Sequence, residues 1–236
     1  SKTLRELEAI LNVRLMERDR SGVRLTAEGE VFSEFAALSL LALKRGVDGV
    51  AALREGAQQT LRIGTLPSVA ARLLPAALRV FTRLSAGTQV ILQDGAHGAL
   101  TGQLRAGDLD AVIGRMGPTD AMQGLSFVQL YTESVVCVAR PSHPLSGQPV
   151  APARLTDWPV IYPPEGAAIR PLLDRWCLAN GLAAFPDRIE SVSGAFGRNH
   201  VAATETLWFI SRGVVEQDLA EGRLSALPLD LSLTAG

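Results

Sequence analysis

Residues 1–30, SKTLRELEAILNVRLMERDRSGVRLTAEGE, decide how the first part of the chain folds. Residues 1–16 predict a helix, because apolar side chains recur there at roughly helical spacing: Leu4, Leu7, Ile10, Leu11, Val13 and Leu15. Ser21 and Gly22 form a turn signal between two short extended arms, which predicts a small hairpin over residues 18–25. Thr26, with Glu28 and Glu30 after it, fits the N-cap of a second helix.

That second helix is predicted to run from Ala27 to about Glu55, roughly 40 Å at the standard rise of an α-helix. One apolar stripe follows it: Val31, Phe35, Leu38, Leu41, Val47, Val50 and Leu53. The stripe indicates pairing with a second copy, or alternatively packing of the helix on its own domain. Residues 56–59, GAQQ, predict a polar linker after it.

From Thr60 onward, short apolar strands alternate with helices. The first set is strand 61–65, a helix to about residue 84, strand 89–93, helix 97–106 and strand 110–114. Residues 126–140 are predicted to be extended, with a buried strand at 135–139. The second set then begins with strand 159–162, followed by helix 168–180, strand 188–192, helix 195–204, strand 207–210 and helix 212–221. This alternation predicts an α/β fold with parallel strands, divided into two lobes of one sensor.

Composition narrows the classes of function. The 236 residues are 47% hydrophobic and carry a net charge of −1, so the chain as a whole gives no electrostatic case for nucleic acid. Residues 1–24 are nevertheless +2, the sign that a nucleic-acid-binding end needs. Cys137 and Cys177, the only cysteines, predict two buried thiols in a reducing cytosol. No signal peptide or membrane span is visible, and because Ser1 begins inside a helix we expect the start to be missing.

Motifs of common enzymes do not occur in the sequence. Neither Gly-rich phosphate loop, G-x-G-x-x-G or G-x-x-x-x-G-K-[ST], is found, and G-x-S-x-G is also missing. His97, His143 and His200 lack metal-ligand spacing, and the only lysines, Lys2 and Lys44, precede the α/β part. These observations predict no metal, no cofactor and no enzyme, although scattered carboxylates could still catalyse a reaction.

Loops that follow the predicted strands form the candidate ligand site. Thr65-Leu66-Pro67-Ser68 joins the first strand to a helix, where free helix N–H groups and a hydroxyl suit a carboxylate or hydroxyl ligand. Alternatively, Ser68 only caps its own helix. Later loops supply the other candidates: Gly95, Ala96, Arg115, Pro163, Pro164, Glu165, Val192 and Ser193. Arg115 could pair with an anionic ligand, or be an exposed surface arginine.

The run LRELEAILNVRLMERDRSGVRLTAEG resembles the second half of the winged helix-turn-helix of LysR-type transcription regulators. The segments LRIGTLPSVAARLLP, LRAGDLDAVIGR and VARPSHPL resemble the effector-binding region of the same family, so the resemblance covers almost the whole chain. Within the family, the sequence is most similar to the branch with the regulators of the protocatechuate pathway and of the galactose-binding protein. That branch implies an aromatic-acid breakdown product or a sugar-related molecule as effector.

The resemblance implies a partial winged helix-turn-helix (1–26), a linker and dimerisation helix (27–59), and a periplasmic-binding-protein-like effector domain. The effector domain would comprise lobe I (61–132) and lobe II (133–236, with a truncated return to lobe I). Residues implied to contact DNA are Ser1, Lys2 and Arg5 on the recognition helix and Arg20 and Arg24 on the wing.

A cytoplasmic homodimer or homotetramer that binds DNA and a small-molecule effector is therefore expected, with no membrane partner. The helices that precede the recognition helix in the family are not in the sequence, so we expect this chain alone to bind DNA weakly or not at all. The rival hypothesis is a two-lobed solute-binding protein without a DNA role; the wing segment and the lack of a secretion signal speak against it.

Overall fold

The computed structural model describes residues 2–19, 22–55, 59–117, 122–182 and 184–236. The chain begins with helix α1 (Lys2–Leu11), followed by antiparallel strands β1 (Met16–Asp19) and β2 (Gly22–Leu25). The predicted helix-then-hairpin order is confirmed, whereas Ser1, Arg20 and the turn residue Ser21 lie outside the described residues.

Helix α1 is shorter than the predicted span of residues 1–16. Asn12 follows its last residue with φ 54°, a left-handed conformation that ends helices. Beyond it, the Glu8 carboxylate accepts hydrogen bonds from the backbone N–H groups of Leu15 (2.8 Å) and Met16 (3.2 Å). Glu8 therefore anchors the chain reversal between helix and hairpin, a role that its position on the polar side of the helix did not indicate.

The long helix α2 spans Ala27–Glu55, as predicted. The Thr26 hydroxyl accepts a hydrogen bond from the Gly29 N–H at 3.0 Å, which confirms the N-cap, and it donates to the Arg14 carbonyl at 2.6 Å. These two bonds fix the start of α2 against the segment that leads into the hairpin.

Lobe I contains a three-stranded parallel sheet with strand order β4-β3-β5. Its elements are β3 (Thr60–Thr65), α3 (Pro67–Arg72), α4 (Leu74–Leu84), β4 (Gln89–Asp94), α5 (His97–Ala106) and β5 (Ala111–Ile113). The predicted single helix up to residue 84 is interrupted at Leu73, and Pro75 lies in the first turn of α4, where its missing N–H costs no helix bond. Helix α2 packs on this lobe, and a Cβ at Gly107 would lie 1.8 Å from Leu41.

Lobe II contains a five-stranded sheet with strand order β10-β6-β9-β7-β8. Its elements are β6 (Val135–Ala139), β7 (Val160–Tyr162), α6 (Arg170–Ala179), β8 (Arg188–Glu190), α7 (Gly194–Ala203), β9 (Leu207–Ser211), α8 (Arg212–Ala220) and β10 (Ser225–Ala226). Strands β7, β8 and β9 are parallel, but β6 is antiparallel to both β9 and β10. The expectation of parallel strands does not hold for β6, which follows directly from the lobe I crossover and not from a helix. Strand β10, which was not predicted, is antiparallel to β6 and so runs in the same direction as β9.

The main hydrophobic core lies in lobe II. Strands β6 and β9 are buried along their whole length, and the rings of Trp176 and Phe209 contact each other at 6.1 Å between centroids. Two adjacent segments lie between the lobes and are called the crossover segments: one carries the chain into β6, and the other is the C-terminal stretch that follows β10. They pair through reciprocal backbone hydrogen bonds between Glu133 and Gly236, of 2.9 and 3.1 Å.

Candidate effector-binding cleft

A cavity of about 670 Å³ lies between the two lobes, within the size range of small-molecule sites. Lobe I contributes Leu66, Pro67, Ser68, Asp94, Gly95, Ala96 and Arg115. Lobe II contributes Pro164 to Ile169, Ser191 to Gly194, Ile210, Ser211 and Val214. The walls are thus loops at strand ends, mostly apolar, with a few hydroxyl and charged groups.

Nine of the eleven residues predicted for the ligand site line this one cavity. The two others lie just outside it. Thr65 is fully buried at the end of β3, and its hydroxyl donates to the Leu66 carbonyl at 3.1 Å. Pro163 is buried under its loop, where its carbonyl accepts a hydrogen bond from the Arg170 guanidinium at 3.1 Å. Both support the wall without forming it.

Ser68 faces the cavity from the second position of α3. The N-cap of α3 is Leu66, which makes no side-chain cap bond, so the alternative that Ser68 caps its own helix is wrong. Within the described part of the chain its hydroxyl has no hydrogen-bond partner. Ser193, in contrast, caps α7 by accepting from the Phe196 N–H at 3.3 Å.

Four helices begin at the cavity. Their N-cap residues, Leu66 of α3, Ala96 of α5, Ser193 of α7 and Ser211 of α8, all line it. Three of the four, those of α3, α5 and α8, have no side-chain cap. The first two N–H groups of α8 already donate to the Ser134 carbonyl at 3.1 Å and to the Glu133 carboxylate at 2.7 Å. The open N–H groups and positive dipole ends at the cavity are therefore those of α3 and α5, and they favour a negatively charged ligand group.

Arg115 is neither wholly available to a ligand nor an exposed surface side chain. Its guanidinium donates to the Glu133 carbonyl at 2.8 Å and to the Thr234 carbonyl at 3.0 Å, so it binds both crossover segments. Burial lowers its pKa, and the nearby Glu133 charge opposes this effect. Arg115 lines the cavity while it holds the crossovers together.

Sequence reasoning missed Glu133. Glu133 is 9% exposed, and its carboxylate accepts the Gly213 N–H at 2.7 Å and lies 3.8 Å from the Arg72 guanidinium. It therefore links α8 of lobe II to α3 of lobe I. Ser211 and Val214 also line the cavity and were not predicted. Ser211 is the last residue of a buried strand, and the rule that ligand loops follow strand ends could have identified it.

The residues predicted to contact DNA belong to the first helix and hairpin, which precede all of the cleft residues in the sequence. Lys2 and Arg5 are exposed on α1, where Lys2 lies 3.8 Å from Glu6, and Arg24 lies on β2. Ser1 and Arg20 lie outside the described residues.

Two α/β lobes with a ligand-sized cleft between them define a small-molecule-sensing domain. The chain belongs to the LysR-type transcription regulators, since residues 54–235 match the LysR substrate binding domain. It is 40% identical over 237 positions to the HTH-type transcriptional regulator PcaQ of Agrobacterium fabrum, covering all of this chain and 76% of that protein. It is 33% identical to the uncharacterized HTH-type transcriptional regulator YdcI of Escherichia coli, covering 97% of this chain and 75% of that one.

Solved structures of the family share the fold. Full-length BenM superposes with a TM-score of 0.56 at 24% identity, covering 97% of this chain and 76% of that one. A mutant OxyR of Corynebacterium glutamicum superposes with a TM-score of 0.60 at 21% identity, covering 95% of this chain and 69% of that one. The predicted family and mixed α/β effector domain are confirmed, and the rival solute-binding protein is not favoured.

LysR-type regulators bind DNA and small-molecule effectors and form homo-oligomers, and these are the partners of this family member. No described helix is both long enough and apolar enough to cross a membrane. Within the same described residues, no three His, Cys, Asp or Glu side chains are grouped as metal ligands would be.

Proposed function

We propose that this chain is the effector-sensing and dimerising part of a cytoplasmic LysR-type regulator, not an enzyme, and that its effector is a small carboxylate. The segment 1–26 acts as the recognition helix and wing, with Ser1, Lys2, Arg5, Arg20 and Arg24 toward DNA. Helix α2 with its linker pairs two subunits, residues 61–132 form lobe I, and residues 133–236 form lobe II. The match of residues 54–235 to a substrate binding domain, and the alignment of PcaQ with the whole of this chain, support that division.

The observation that carries the carboxylate proposal is the convergence of four helix N-termini on one mostly apolar cavity, of which those of α3 and α5 have no side-chain cap. A carboxylate fits the free N–H groups and the Ser68 hydroxyl, and an apolar body fits the remaining wall. The other proposed site residues in the cavity wall are Pro67, Gly95, Ala96, Arg115, Pro164, Glu165, Val192 and Ser193, and Thr65 and Pro163 support the wall from behind.

Ligand binding in this cleft controls DNA through the arrangement of the lobes and subunits. Because the carboxylate touches both lobes, its affinity differs between more open and more closed arrangements. An effector shifts such an equilibrium only by that difference in affinity. The spacing of the DNA-binding ends at the far end of α2 changes with it.

Ser68→Ala tests the site directly. Calorimetric titration with benzoate, protocatechuate and cis,cis-muconate identifies the acid that binds, and Ser68→Ala should weaken that acid about tenfold, the value of one charged hydrogen bond. Ser39→Ala, which removes an exposed hydroxyl bonded to the Phe35 carbonyl of α2, is the matched control and should change nothing. Unchanged affinity in Ser68→Ala would remove Ser68 from the site.

A further inference from the structure

Arg170, the first residue of α6, lies outside the cavity yet contacts both of the loops that form the lobe II wall. Its Nη1 donates to the Pro163 carbonyl at 3.1 Å, at the base of the loop 163–169. The same Nη1 lies 3.3 Å from the Glu190 carboxylate, at the base of the loop 191–193. No other side chain in the described residues bonds to the bases of both loops.

The Arg170 side chain is held rigidly in that position. Its Nε donates to both oxygens of Asp174 at 2.9 Å, and its guanidinium stacks 5.0 Å from the centroid of the Tyr162 ring. Tyr162 in turn donates its hydroxyl to Asp174 at 2.9 Å. The side chain is only 15% exposed, so these bonds are partly shielded from water.

A guanidinium suits this place because one planar group must point in two directions at once. Its fork satisfies Asp174 on one side while another nitrogen reaches Pro163 and Glu190. A lysine offers a single charged nitrogen and cannot span these partners together. Burial lowers the pKa of Arg170, but its hydrogen bond and charge pair with Asp174 outweigh burial, and the net pKa is raised.

We propose that Arg170 is a positioning residue of the effector cleft, which fixes the loops 163–169 and 191–193 relative to each other. The inference rests on the proposed function only in taking the cavity as the effector site. Glu165 and Ser193, one from each loop, reach the cavity from loops whose bases Arg170 joins. Arg170 thus sets the shape of the lobe II wall without touching a ligand.

Hydrogen–deuterium exchange of the intact chain tests this proposal without any ligand. In Arg170→Met, amides of 163–169 and 191–193 should exchange about tenfold faster, while the strands β6 and β9 keep their protection. Arg188→Met is the matched control, because Arg188 pairs with Glu190 at 3.3 Å, is 40% exposed and does not bond to Pro163. In Arg188→Met, the exchange rates of loop 163–169 should equal those of the parent chain.

Arg170→Lys keeps the charge and serves as the second variant if Arg170→Met fails to fold. If the amides of 163–169 exchange faster in Arg170→Lys while β6 and β9 keep their protection, the forked guanidinium of Arg170 is needed to hold the loop. Unchanged exchange of both loops in a folded Arg170 variant, or equal changes in Arg188→Met, overturns the proposal. A ligand screen without a binding acid would contradict the carboxylate effector and leave the exchange result standing.

Discussion

Asp218 shows how single charged residues hold lobe II around the cleft. It is 4% exposed in α8 and accepts hydrogen bonds from Arg198 of α7 at 2.7 Å and from Arg223 at 2.9 Å. Burial by itself raises the pKa of the carboxyl group, but the two arginine bonds outweigh it and the pKa is lowered below its ordinary value. A carboxylate whose pKa falls on folding stabilises the fold above its unfolded pKa.

Asp218→Asn should lower the free energy of unfolding by about 2 kcal/mol at neutral pH, because two charged hydrogen bonds are weakened inside the protein. As the pH falls below about 4 toward the lowered pKa, the parent loses the same contribution and the difference shrinks. Urea unfolding at neutral and acid pH measures both effects. Asp157→Asn, which loses an exposed pair with Arg154, is the control, and a pH-independent difference for Asp218→Asn would contradict the assignment.

The candidate site was largely predictable at the scale of residues, because parallel strands bring their following loops to one edge. Ser68 and Ser193 both follow that rule and both reach the cavity. Glu133 could not be predicted in the same way, since its partners Gly213 and Arg72 are distant in sequence and only the packed lobes bring them together.

At the scale of elements, local signals predicted most bounds and failed where tertiary structure decides. Helices α2 and α5 and strand β6 have their predicted bounds, because each has either a clear hydrophobic pattern or a helix- or strand-breaking residue at its end. The antiparallel direction of β6 was not predictable, because direction depends on which strand lies alongside and not on the composition of the strand itself.

Two glycines in helices of similar length test packing between elements. A Cβ at Gly197 of α7 would lie 2.4 Å from the Trp208 ring, which is fully buried and cannot move easily. Gly197→Ala should therefore lower the free energy of unfolding by about 1–3 kcal/mol. Gly102→Ala in α5 meets nothing within 4 Å and should raise it by up to about 1 kcal/mol. Thermal unfolding compares them, and a stabilised Gly197→Ala would contradict the packing of α7 on β9.

At the scale of the whole molecule, α2 has two different faces. Leu41 lies against Gly107 of lobe I, so the alternative of packing on its own domain is correct for that part of the helix. Phe35, Val47 and Val50 remain 63, 61 and 58% exposed, which suits pairing with a second copy.

Phe35→Glu should shift this chain from dimer toward monomer, because a carboxylate would be buried in the paired apolar stripe. Sedimentation velocity over a concentration series gives the dissociation constant, which should rise at least about tenfold. Ser33→Glu, also exposed on α2 but outside the predicted stripe, is the control. A parent chain that is monomeric at all concentrations would contradict pairing through α2.

The central claim is that the cleft binds a small carboxylate, and thermal unfolding with candidate ligands tests it most directly. The panel pairs benzoate with benzamide and cis,cis-muconate with its dimethyl ester, and adds protocatechuate and galactose. An acid at a hundredfold excess over its Kd should stabilise the chain by roughly 2.7 kcal/mol, whereas its uncharged partner should not. Stabilisation by an uncharged analogue or by galactose, with none by the acids, would contradict the account.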